Sequence, residues 1–273
     1  MEKINDVLNM GRGILEKNNM DIAEARLLLA FVLHIDVNEL IARDECTSNE
    51  VVKFLVALEK RVNGYPYAYI VGYKEFMKLK FKVDKNVLIP RPETELLVEN
   101  VLKIIQANNY ENVLDLCTGS GCIAISLKKN ANGINVTASD ISNDALIISR
   151  DNSKVLDTNV DFIQSNLFEN ISEVFDIIVS NPPYIPTKDI EQLQAEIQKE
   201  PIIALDGGID GLDIYRIILH KAKEHLKDNG YLCLEIGYNQ GESLKQILLN
   251  EGYKDIQIIK DLANNERNVI CRK

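Results

Sequence analysis

The sequence predicts an α/β protein in which a small N-terminal helical bundle precedes a doubly wound, mostly parallel sheet. Apolar residues recur at helical spacing through roughly the first sixty positions. From Glu93 onward, short apolar strands alternate with helical patterns, as in a parallel sheet with helices on both faces. Between these regions, apolar residues and lysines alternate from Leu79 to Val83, which indicates a half-buried strand. Together these patterns predict two domains in a chain of 273 residues.

Three amphipathic helices make up the predicted bundle. Asp21 is placed to cap the second helix, and Thr47 with Glu50 has the spacing of a capping box for the third, which Asn63-Gly64 ends. No cluster of polar residues within residues 1–74 indicates a catalytic site, so we predict that this domain docks the substrate. The apolar positions of the helices are Ile4, Val7, Leu8 and Leu15 in the first, Ile22, Ala25, Leu29, Val32 and Leu33 in the second, and Val51, Leu55, Leu58 and Val62 in the third.

A β-hairpin over residues 75–92 is predicted to join the two domains. Its first strand carries Leu79, Phe81 and Val83, its turn lies at 84–86, and its second strand at 87–89 stops before Pro90. Because only a short, charged connection separates the last two strands of the chain, we expect them to be antiparallel neighbours. The second domain covers residues 93–273, with candidate strands at 113–116, 135–139, 160–163, 175–180, 231–236, 256–259 and 269–271.

Composition and charge disfavour several classes of protein. A formal net charge of −10 argues against sequence-independent binding to nucleic acid, which needs clustered Lys and Arg. The five cysteines include no Cys-x-x-Cys pair, so we expect neither a structural zinc site nor a disulfide framework. The N-terminal segment does not have the pattern of a signal peptide, and no apolar stretch has membrane-spanning length. We expect a reduced, cytoplasmic, monomeric protein that binds no metal, nucleic acid or membrane.

A glycine-containing loop after the first predicted strand of the sheet points to a bound ligand. The strand reaches Asp115, and the chain continues as Leu116-Cys117-Thr118-Gly119-Ser120-Gly121 before an apolar helix. Two glycines at this position let the backbone approach a ligand and direct free N–H groups toward it. Taken alone, the pattern is more typical of an ordinary tight turn.

Asp140 strengthens the prediction of a nucleoside-type cofactor. It ends the next predicted strand, where a carboxylate can accept hydrogen bonds from both ribose hydroxyls. Asp140 is also placed to cap the following helix, and the two roles are compatible. These features do not distinguish NAD from S-adenosylmethionine. Ala124 stands where the dinucleotide fingerprint has its third glycine, and although Ala is tolerated there, the loop disfavours NAD.

The tetrapeptide Asn181-Pro182-Pro183-Tyr184 follows the predicted strand that ends at Ser180, and it complements a planar nitrogen group. Two prolines remove two backbone N–H donors and fix φ, which leaves carbonyl oxygens as acceptors at the top of the sheet. Asn181 adds a side-chain acceptor and Tyr184 adds an aromatic face. These groups match a flat amide or aromatic amine with two N–H donors. The alternative is a rigid stop after a buried strand.

The same tetrapeptide resembles that of N-methyltransferases that act on adenine, guanine or glutamine nitrogens. Other stretches resemble the release factor glutamine methyltransferase family (HemK/PrmC), and the resemblance covers most of the chain from about Gly64 onward. The residues that carry it are Ile89-Pro90-Arg91-Pro92-Glu93-Thr94-Glu95, Glu200-Pro201, Ala204-Leu205-Asp206-Gly207-Gly208, Asp210-Gly211-Leu212, Glu235-Ile236-Gly237, Asp261 and Arg267.

The resemblance implies a fold, an activity and a set of site residues. The fold is a helical bundle, a β-hairpin and a Rossmann-like methyltransferase domain. The activity is methyl transfer from S-adenosylmethionine to the side-chain amide of the Gln in the Gly-Gly-Gln motif of peptide chain release factors, the expected partners. The implied cofactor-binding residues are Cys117, Thr118, Gly119, Ser120, Gly121, Asp140, Leu167 and Asn181. The implied substrate-binding residues are Asn181, Pro182, Pro183 and Tyr184, among which Asn181, Pro182 and Tyr184 are the implied catalytic residues.

Two departures from the family pattern and three alternative functions stay open. Cys117 stands where Gly is common and Asn166 where Asp is common, and we expect neither to abolish cofactor binding. The alternatives are glutamine methylation of a ribosomal protein, N-methylation of a DNA or RNA base, and a catalytically silent binding module. The Arg91-Pro92-Glu93-Thr94 stretch disfavours methylation of a ribosomal protein, and the acidic net charge disfavours methylation of a nucleic-acid base. The intact tetrapeptide disfavours a catalytically silent module.

Overall fold

A computed structural model describes residues 1–273, and contacts within the chain divide it into two units. The first unit comprises Met1–Gly72 and Gln194–Lys199, and the second comprises Tyr73–Leu193 and Glu200–Lys273. Each unit has hydrophobic clusters formed from its own residues. None of the helices is both long and apolar enough to cross a membrane.

The first unit is a helical bundle, as its apolar pattern predicts, and it also contains a short two-stranded ladder that the sequence did not predict. Its core contains Leu15, Leu28, Leu29, Phe54 and Leu58, all of which are buried, and β1 pairs antiparallel with β2. The elements are β1 (Glu2–Lys3), α1 (Ile4–Lys17), α2 (Glu24–Leu33), β2 (Glu45–Cys46), α3 (Ser48–Val62) and α4 (Tyr67–Val71).

One of the two predicted helix caps in this unit is confirmed and the other is wrong. The Thr47 hydroxyl accepts from the Glu50 N–H at 3.2 Å, and Glu50 Oε2 accepts from the Thr47 N–H at 2.7 Å, which is a complete capping box. Asp21, in contrast, accepts from the Ala23 N–H at 2.8 Å in a turn that precedes α2. Because the helix begins only at Glu24, Ile22 lies outside it and is 47% exposed.

The hairpin exists, but its strands differ from the predicted pair. Strand β3 (Tyr73–Phe76) pairs antiparallel with β4 (Leu79–Lys82) through Met77 and Lys78, which both have positive φ as in a type I′ turn. The predicted pairing of 79–83 with 87–89 within 75–92 is wrong. Asp84 instead closes a turn, because its Oδ1 accepts from the Asn86 N–H at 2.9 Å.

The second unit contains the predicted doubly wound sheet. Seven strands lie in the order β10-β11-β9-β8-β5-β6-β7, and all neighbours are parallel except at β11, which is antiparallel to both β9 and β10. The expected antiparallel pairing of the last two strands is therefore confirmed. The elements are α5 (Pro92–Asn108), β5 (Asn112–Leu116), α6 (Cys122–Asn130), β6 (Asn135–Asp140), α7 (Asn143–Val155), β7 (Asp161–Gln164), β8 (Phe175–Ser180), α8 (Asp213–Lys221), β9 (Leu226–Glu235), α9 (Gly241–Asn250), β10 (Lys254–Lys260) and β11 (Glu266–Arg272).

Helices bury both faces of this sheet. The strand order brings the loops after β5, β6, β7 and β8 to one edge of it. One hydrophobic cluster contains residues of α5 and α6, and the other contains residues of α8 and α9. The strands β5, β6, β7, β8 and β9 run parallel, so their carboxyl ends lie at the same edge. The chain reverses its direction of winding at β5, between β6 and β8, which is where open α/β sheets bind ligands.

Candidate active site

The loop after β5 is held in shape by a buried carboxylate. Asp115 Oδ2 accepts from the Thr118 hydroxyl at 2.6 Å and from the Ala124 N–H at 3.1 Å. The second bond satisfies a free N–H in the first turn of α6. Burial raises the pKa of Asp115 to about 7, although both hydrogen bonds oppose the rise. Asp115 therefore joins the strand, the loop and the helix.

Three residues of this loop adopt a left-handed backbone conformation. Their φ values are +59° at Cys117, +55° at Gly119 and +80° at Gly121. A Cβ at Gly119 would meet no atom within 4 Å, so the space beside this backbone is open, whereas a Cβ at Gly121 would lie 2.9 Å from Ile125. Burial raises the pKa of the Cys117 thiol far above its ordinary value, which keeps the sulfur protonated and unreactive.

Asp140 connects the loop after β5 to the end of β6. Its Oδ2 accepts from the Gly119 N–H and its Oδ1 accepts from the Ser142 N–H, each at 2.9 Å. Burial raises the pKa of Asp140. The cap of α7 is Ser142, whose hydroxyl accepts from the Ala145 N–H at 3.2 Å, so the predicted capping role does not belong to Asp140.

A pocket opens at this edge of the sheet, and it gathers most of the residues that the sequence singled out. Of these residues, Cys117, Gly119, Asp140, Asn166, Leu167, Asn181 and Pro183 line it. The pocket wall does not include the other predicted site residues, which are Thr118, Ser120, Gly121, Pro182 and Tyr184. The Thr118 hydroxyl is turned toward Asp115, and Ser120, Gly121 and Pro182 are buried. Asn166 donates to Glu169 at 2.8 Å, which orients its amide at the pocket wall.

Part of the pocket wall comes from segments to which the sequence assigned no binding role. Val87 and Leu88 belong to the segment interpreted as a hairpin strand, and Pro201 and Ala204 belong to matching motifs without an assigned role. Only the motif resemblance signalled the last two. The wall residues that were not predicted are Asn86, Val87, Leu88, Ser139, Ile141, Ser142, Ala145, Ser165, Pro201, Ile203, Ala204 and Ile214.

The Asn-Pro-Pro-Tyr loop is fixed on both sides by hydrogen bonds. On one side, Asn181 Nδ2 donates to the Thr94 hydroxyl at 3.3 Å. On the other, the Tyr184 carbonyl accepts from Gln240 Nε2 at 2.9 Å, and the Ile185 N–H donates to the Leu205 carbonyl at 2.9 Å. Burial raises the pKa of Tyr184 to about 12, so its ring is neutral at physiological pH.

Two glycines let the chain pack directly against this loop. A Cβ at Gly207 would lie 2.7 Å from the Tyr184 Cα, and a Cβ at Gly211 would lie 2.3 Å from the Tyr184 carbonyl oxygen. Gly211 also has a φ of +78°. The matched motifs that contain these glycines therefore support the tetrapeptide from behind.

The motif at 89–95 contacts the motif at 200–201. Glu200 is buried, its Oε2 accepts from the Ile89 N–H at 2.9 Å, and its Oε1 accepts from Arg91 Nη2 at 2.5 Å. These bonds connect the two segments that contribute Leu88 and Pro201 to the pocket wall. A side chain outside the pocket thus organises one of its walls.

Comparisons with known proteins identify families that match both units. Residues 92–265 match the family described as the Methyltransferase small domain, and residues 6–72 match the family described as the PrmC N-terminal domain. The fold is also similar to that of a solved methyltransferase from Pyrococcus furiosus, with a TM-score of 0.54, 18% identity, and coverage of 83% of this chain and 99% of that one.

Sequence relatives extend over nearly the whole chain. A release factor glutamine methyltransferase of Clostridium acetobutylicum is 41% identical, and the match covers 98% of each chain. A second relative with the same description, from Thermodesulfovibrio yellowstonii, is 39% identical with coverage of 96% of each chain. The similarity therefore includes both the helical unit and the sheet.

Proposed function

Because the chain belongs to the release factor glutamine methyltransferase family, we propose that it transfers a methyl group from S-adenosylmethionine to the Gln of the Gly-Gly-Gln motif in peptide chain release factors. The accepting atom is the side-chain amide nitrogen of that Gln. The observation that supports this most directly is the position of Asn181, which lines the same pocket as Gly119 and Asp140.

The pocket has the features that S-adenosylmethionine needs. The open space beside Gly119 gives a ligand access to the loop backbone, and the half-buried Asp140 carboxylate offers acceptors for ribose hydroxyls. Leu167 and Asn166 at the end of β7 supply an apolar contact and an amide for the adenine. When bound, S-adenosylmethionine supplies an electrophilic methyl group on a sulfonium.

The Asn-Pro-Pro-Tyr loop holds the substrate amide. Asn181 Oδ1 and the Pro182 carbonyl accept the two N–H bonds of the Gln amide, which fixes the direction of the nitrogen. The same acceptors stabilise the positive charge that builds on this nitrogen as its bond to the methyl group forms and the bond from that methyl group to sulfur breaks. The nitrogen then releases one proton to solvent. Pro183, which lines the pocket, covers a flat face of the amide, and the neutral ring of Tyr184 packs beside it against the core of the second unit.

The helical unit docks the release factor in this proposal. Every residue that lines the pocket belongs to the second unit, so the first unit is free to recognise a protein surface. Removal of residues 1–72 should reduce methylation of an intact release factor more than methylation of a short Gly-Gly-Gln peptide. Equal losses on the two substrates, with the sheet still folded by circular dichroism, would contradict a docking role.

A competition among substrates tests the activity itself. Labelled S-adenosylmethionine is offered in parallel to a release factor, to its variant with the Gln of Gly-Gly-Gln replaced by Ala, to ribosomal proteins and to DNA. We expect one methyl group per release factor, located on that Gln by mass spectrometry. Incorporation into ribosomal protein or DNA, and none into release factor, would overturn the proposal.

Calorimetry tests the cofactor site separately. Asp140→Ala should weaken S-adenosylmethionine binding by about 1.5–3 kcal/mol, the scale of hydrogen bonds to a charged group. Asp144→Ala is the matched control, since Asp144 is exposed in the first turn of α7 and does not line the pocket. Binding of NAD without binding of S-adenosylmethionine would show that the cofactor assignment is wrong.

A further inference from the structure

A buried carboxylate adjoins the Asn-Pro-Pro-Tyr loop, and the proposed reaction assigns it no role. Glu235 is the last residue of β9, at the same edge of the sheet as Asn181, and it is 2% exposed. Its Oε2 has no hydrogen-bond partner. Buried polar atoms are rarely left unpaired in folded proteins, so a carboxylate retained in this position calls for a functional explanation.

The same region contains a second buried polar side chain with an unpaired hydrogen-bond donor. Asn268 lies directly opposite Glu235 in the antiparallel ladder of β11 and β9, and it is fully buried. Its Oδ1 accepts from Asn100 Nδ2 on α5 at 3.2 Å, whereas its own Nδ2 has no partner. Residues opposite each other in a ladder direct their side chains to the same face, so Asn268 places a free donor on the face of the sheet that carries the Glu235 acceptor.

The Asn181 amide is held from this buried side. Its Nδ2 donates to the Thr94 hydroxyl at 3.3 Å. Ser180 lies opposite Leu234 in the parallel pair of β8 and β9, so Asn181 and Glu235 follow at the same level of neighbouring strands, and Asn181 and Thr94 both lower the pKa of Glu235. An amide whose NH2 group is bound on one side presents its oxygen to the other side. Asn181 lines the pocket, so that oxygen becomes available to a ligand.

We propose that Glu235 is a positioning residue for Asn181, because its carboxylate takes the Nδ2–H of Asn181 and thereby directs Oδ1 toward the substrate amide. This inference rests on the proposed function. It adds to that function the group that decides which end of the Asn181 amide faces the Gln nitrogen. A carboxylate can only accept, so it selects the NH2 end of Asn181 and excludes the flipped orientation.

The charge on Glu235 also strengthens the acceptor at Asn181. Hydrogen bonds in a chain polarise one another, so a carboxylate on Nδ2 makes Oδ1 a better acceptor for a nitrogen that gains positive charge. Protonation of Glu235 removes this effect and adds an O–H donor that competes for the amide oxygen. The turnover number should therefore fall as the pH drops through the pKa of Glu235.

The surroundings of Glu235 set the pH at which this occurs. The pKa of Glu235 is raised to about 7, mainly by burial and also by the nearby Glu93, whereas Thr94, Arg267 and Asn181 oppose the rise. The other ionisable groups that face it are Cys122 on α6, Tyr184 after β8 and Tyr215 on α8, and burial raises the pKa of each of them. They stay neutral near pH 7, and Arg267 stays charged because its own pKa is raised. Glu235 is thus the group beside Asn181 that changes charge near neutrality; Asp115, whose pKa is also raised to about 7, holds the loop after β5 and is unchanged in the Glu235 variants.

The kinetic test uses isosteric substitution. Glu235→Gln should lower the single-turnover rate of release factor methylation by about 10-fold to 100-fold, the scale of outer partners that orient a site residue. The Michaelis constant and the cofactor affinity should change little, and the acid limb near pH 7 should disappear from the pH profile of kcat. Glu235→Asp should restore part of the rate and keep an acid limb. Glu200→Gln is the control: it also removes a buried carboxylate, but it should keep the acid limb whatever its effect on the rate.

A spectroscopic test separates this inference from the proposed function. In protein labelled with 15N at asparagine, the side-chain NH2 signals of Asn181 should shift between pH 6 and pH 8 in the wild type and stay constant in Glu235→Gln. Constant wild-type signals, or a Glu235→Gln variant with the wild-type rate and acid limb, would overturn the positioning role. A wild type that methylates no release factor would overturn the proposed function instead, and the titration of the Asn181 signals would still be readable.

Discussion

At the residue scale, Asn181 combines two requirements in one short side chain. Its NH2 end is held by Thr94, while in the proposed reaction its oxygen accepts from the substrate amide. Asn181→Ala removes both, and it should lower kcat by about 100-fold or more, as loss of one preorganised electrostatic partner does. The Michaelis constant for release factor should change far less, because the acceptor matters most when charge appears on the nitrogen. Single-turnover methylation measures the first quantity and steady-state kinetics the second.

The Asn181→Asp variant sharpens this prediction. Asp has no N–H to donate, and its carboxylate would lie beside the buried carboxyl of Glu235. We expect a rate no higher than that of the Ala variant, with cofactor affinity checked by calorimetry. If Asn181 merely started a turn, Asp and Ser would both replace it with nearly full activity.

Asp115 gives the protein a pH dependence that can be measured without substrate. Its pKa in the folded chain is raised to about 7, so the folded state keeps a proton that the unfolded chain releases near pH 4. Between these values the unfolded state binds fewer protons, and the free energy of unfolding therefore falls as the pH rises. Relative to Asp115→Asn, the wild type should lose stability from about pH 4 to pH 7 and then remain level. Denaturant titrations at a series of pH values test this, and a difference that grows with rising pH in favour of the wild type would refute it.

At the scale of elements, the Asn-Pro-Pro-Tyr loop of the site packs against the segment that contains Gly207 and Gly211. Gly211 has positive φ, and its missing Cβ leaves room for the Tyr184 carbonyl. Gly211→Ala should displace the Asn-Pro-Pro-Tyr loop and lower kcat by at least about 10-fold, since small misplacements at a site have large kinetic effects. Gly133→Ala is the matched control, because Gly133 has a φ of +80° but no atom within 4 Å of its Cβ position. Each variant places an alanine at positive φ, which costs about 1 kcal/mol. A difference between their rates therefore reports the close approach of residue 211 to the Tyr184 carbonyl.

At the scale of the whole molecule, two units with separate cores have separate sources of stability. In the first unit, Arg61 is buried, and it binds both Glu24 and Glu196. Arg61→Gln leaves Glu24 without its main partner and should lower the free energy of unfolding of this unit by about 3 kcal/mol, the low end for a broken buried pair. Lys60→Gln makes the same charge change at an exposed neighbour and should cost less than about 0.5 kcal/mol.

Hydrogen exchange resolves these effects by region. In Arg61→Gln, amide protection should fall in α2 and α3 and stay unchanged in the strands of the second unit. A uniform loss over both units would show that they unfold as one cooperative body. Loss confined to the sheet would contradict the role assigned to Arg61.

The sequence by itself determined the features that depend on near neighbours along the chain. The capping box at Thr47 and Glu50 spans one helical turn, and the alternation of strands and helices after Glu93 follows from hydrophobic periodicity. The glycine loop after β5, Asp140 after β6 and the tetrapeptide after β8 each follow a parallel strand, so their meeting at one edge could be inferred from the fold class.

Only the tertiary structure decided the features that depend on distant residues. The hairpin partner of β4 is β3 rather than 87–89, because Met77 and Lys78 accept positive φ without any glycine signal in the sequence. Residues 86–88 and Pro201, Ile203 and Ala204 line the pocket. Glu200 connects these two segments, and its hydrogen-bond partners Ile89 and Arg91 lie more than a hundred positions away in the sequence. Glu235 lies beside Asn181 because β9 and β8, which are far apart in the sequence, are parallel neighbours in the sheet. A local pattern specifies an element, whereas packing in three dimensions decides which side chains share a buried space and how their charges and hydrogen bonds act on each other.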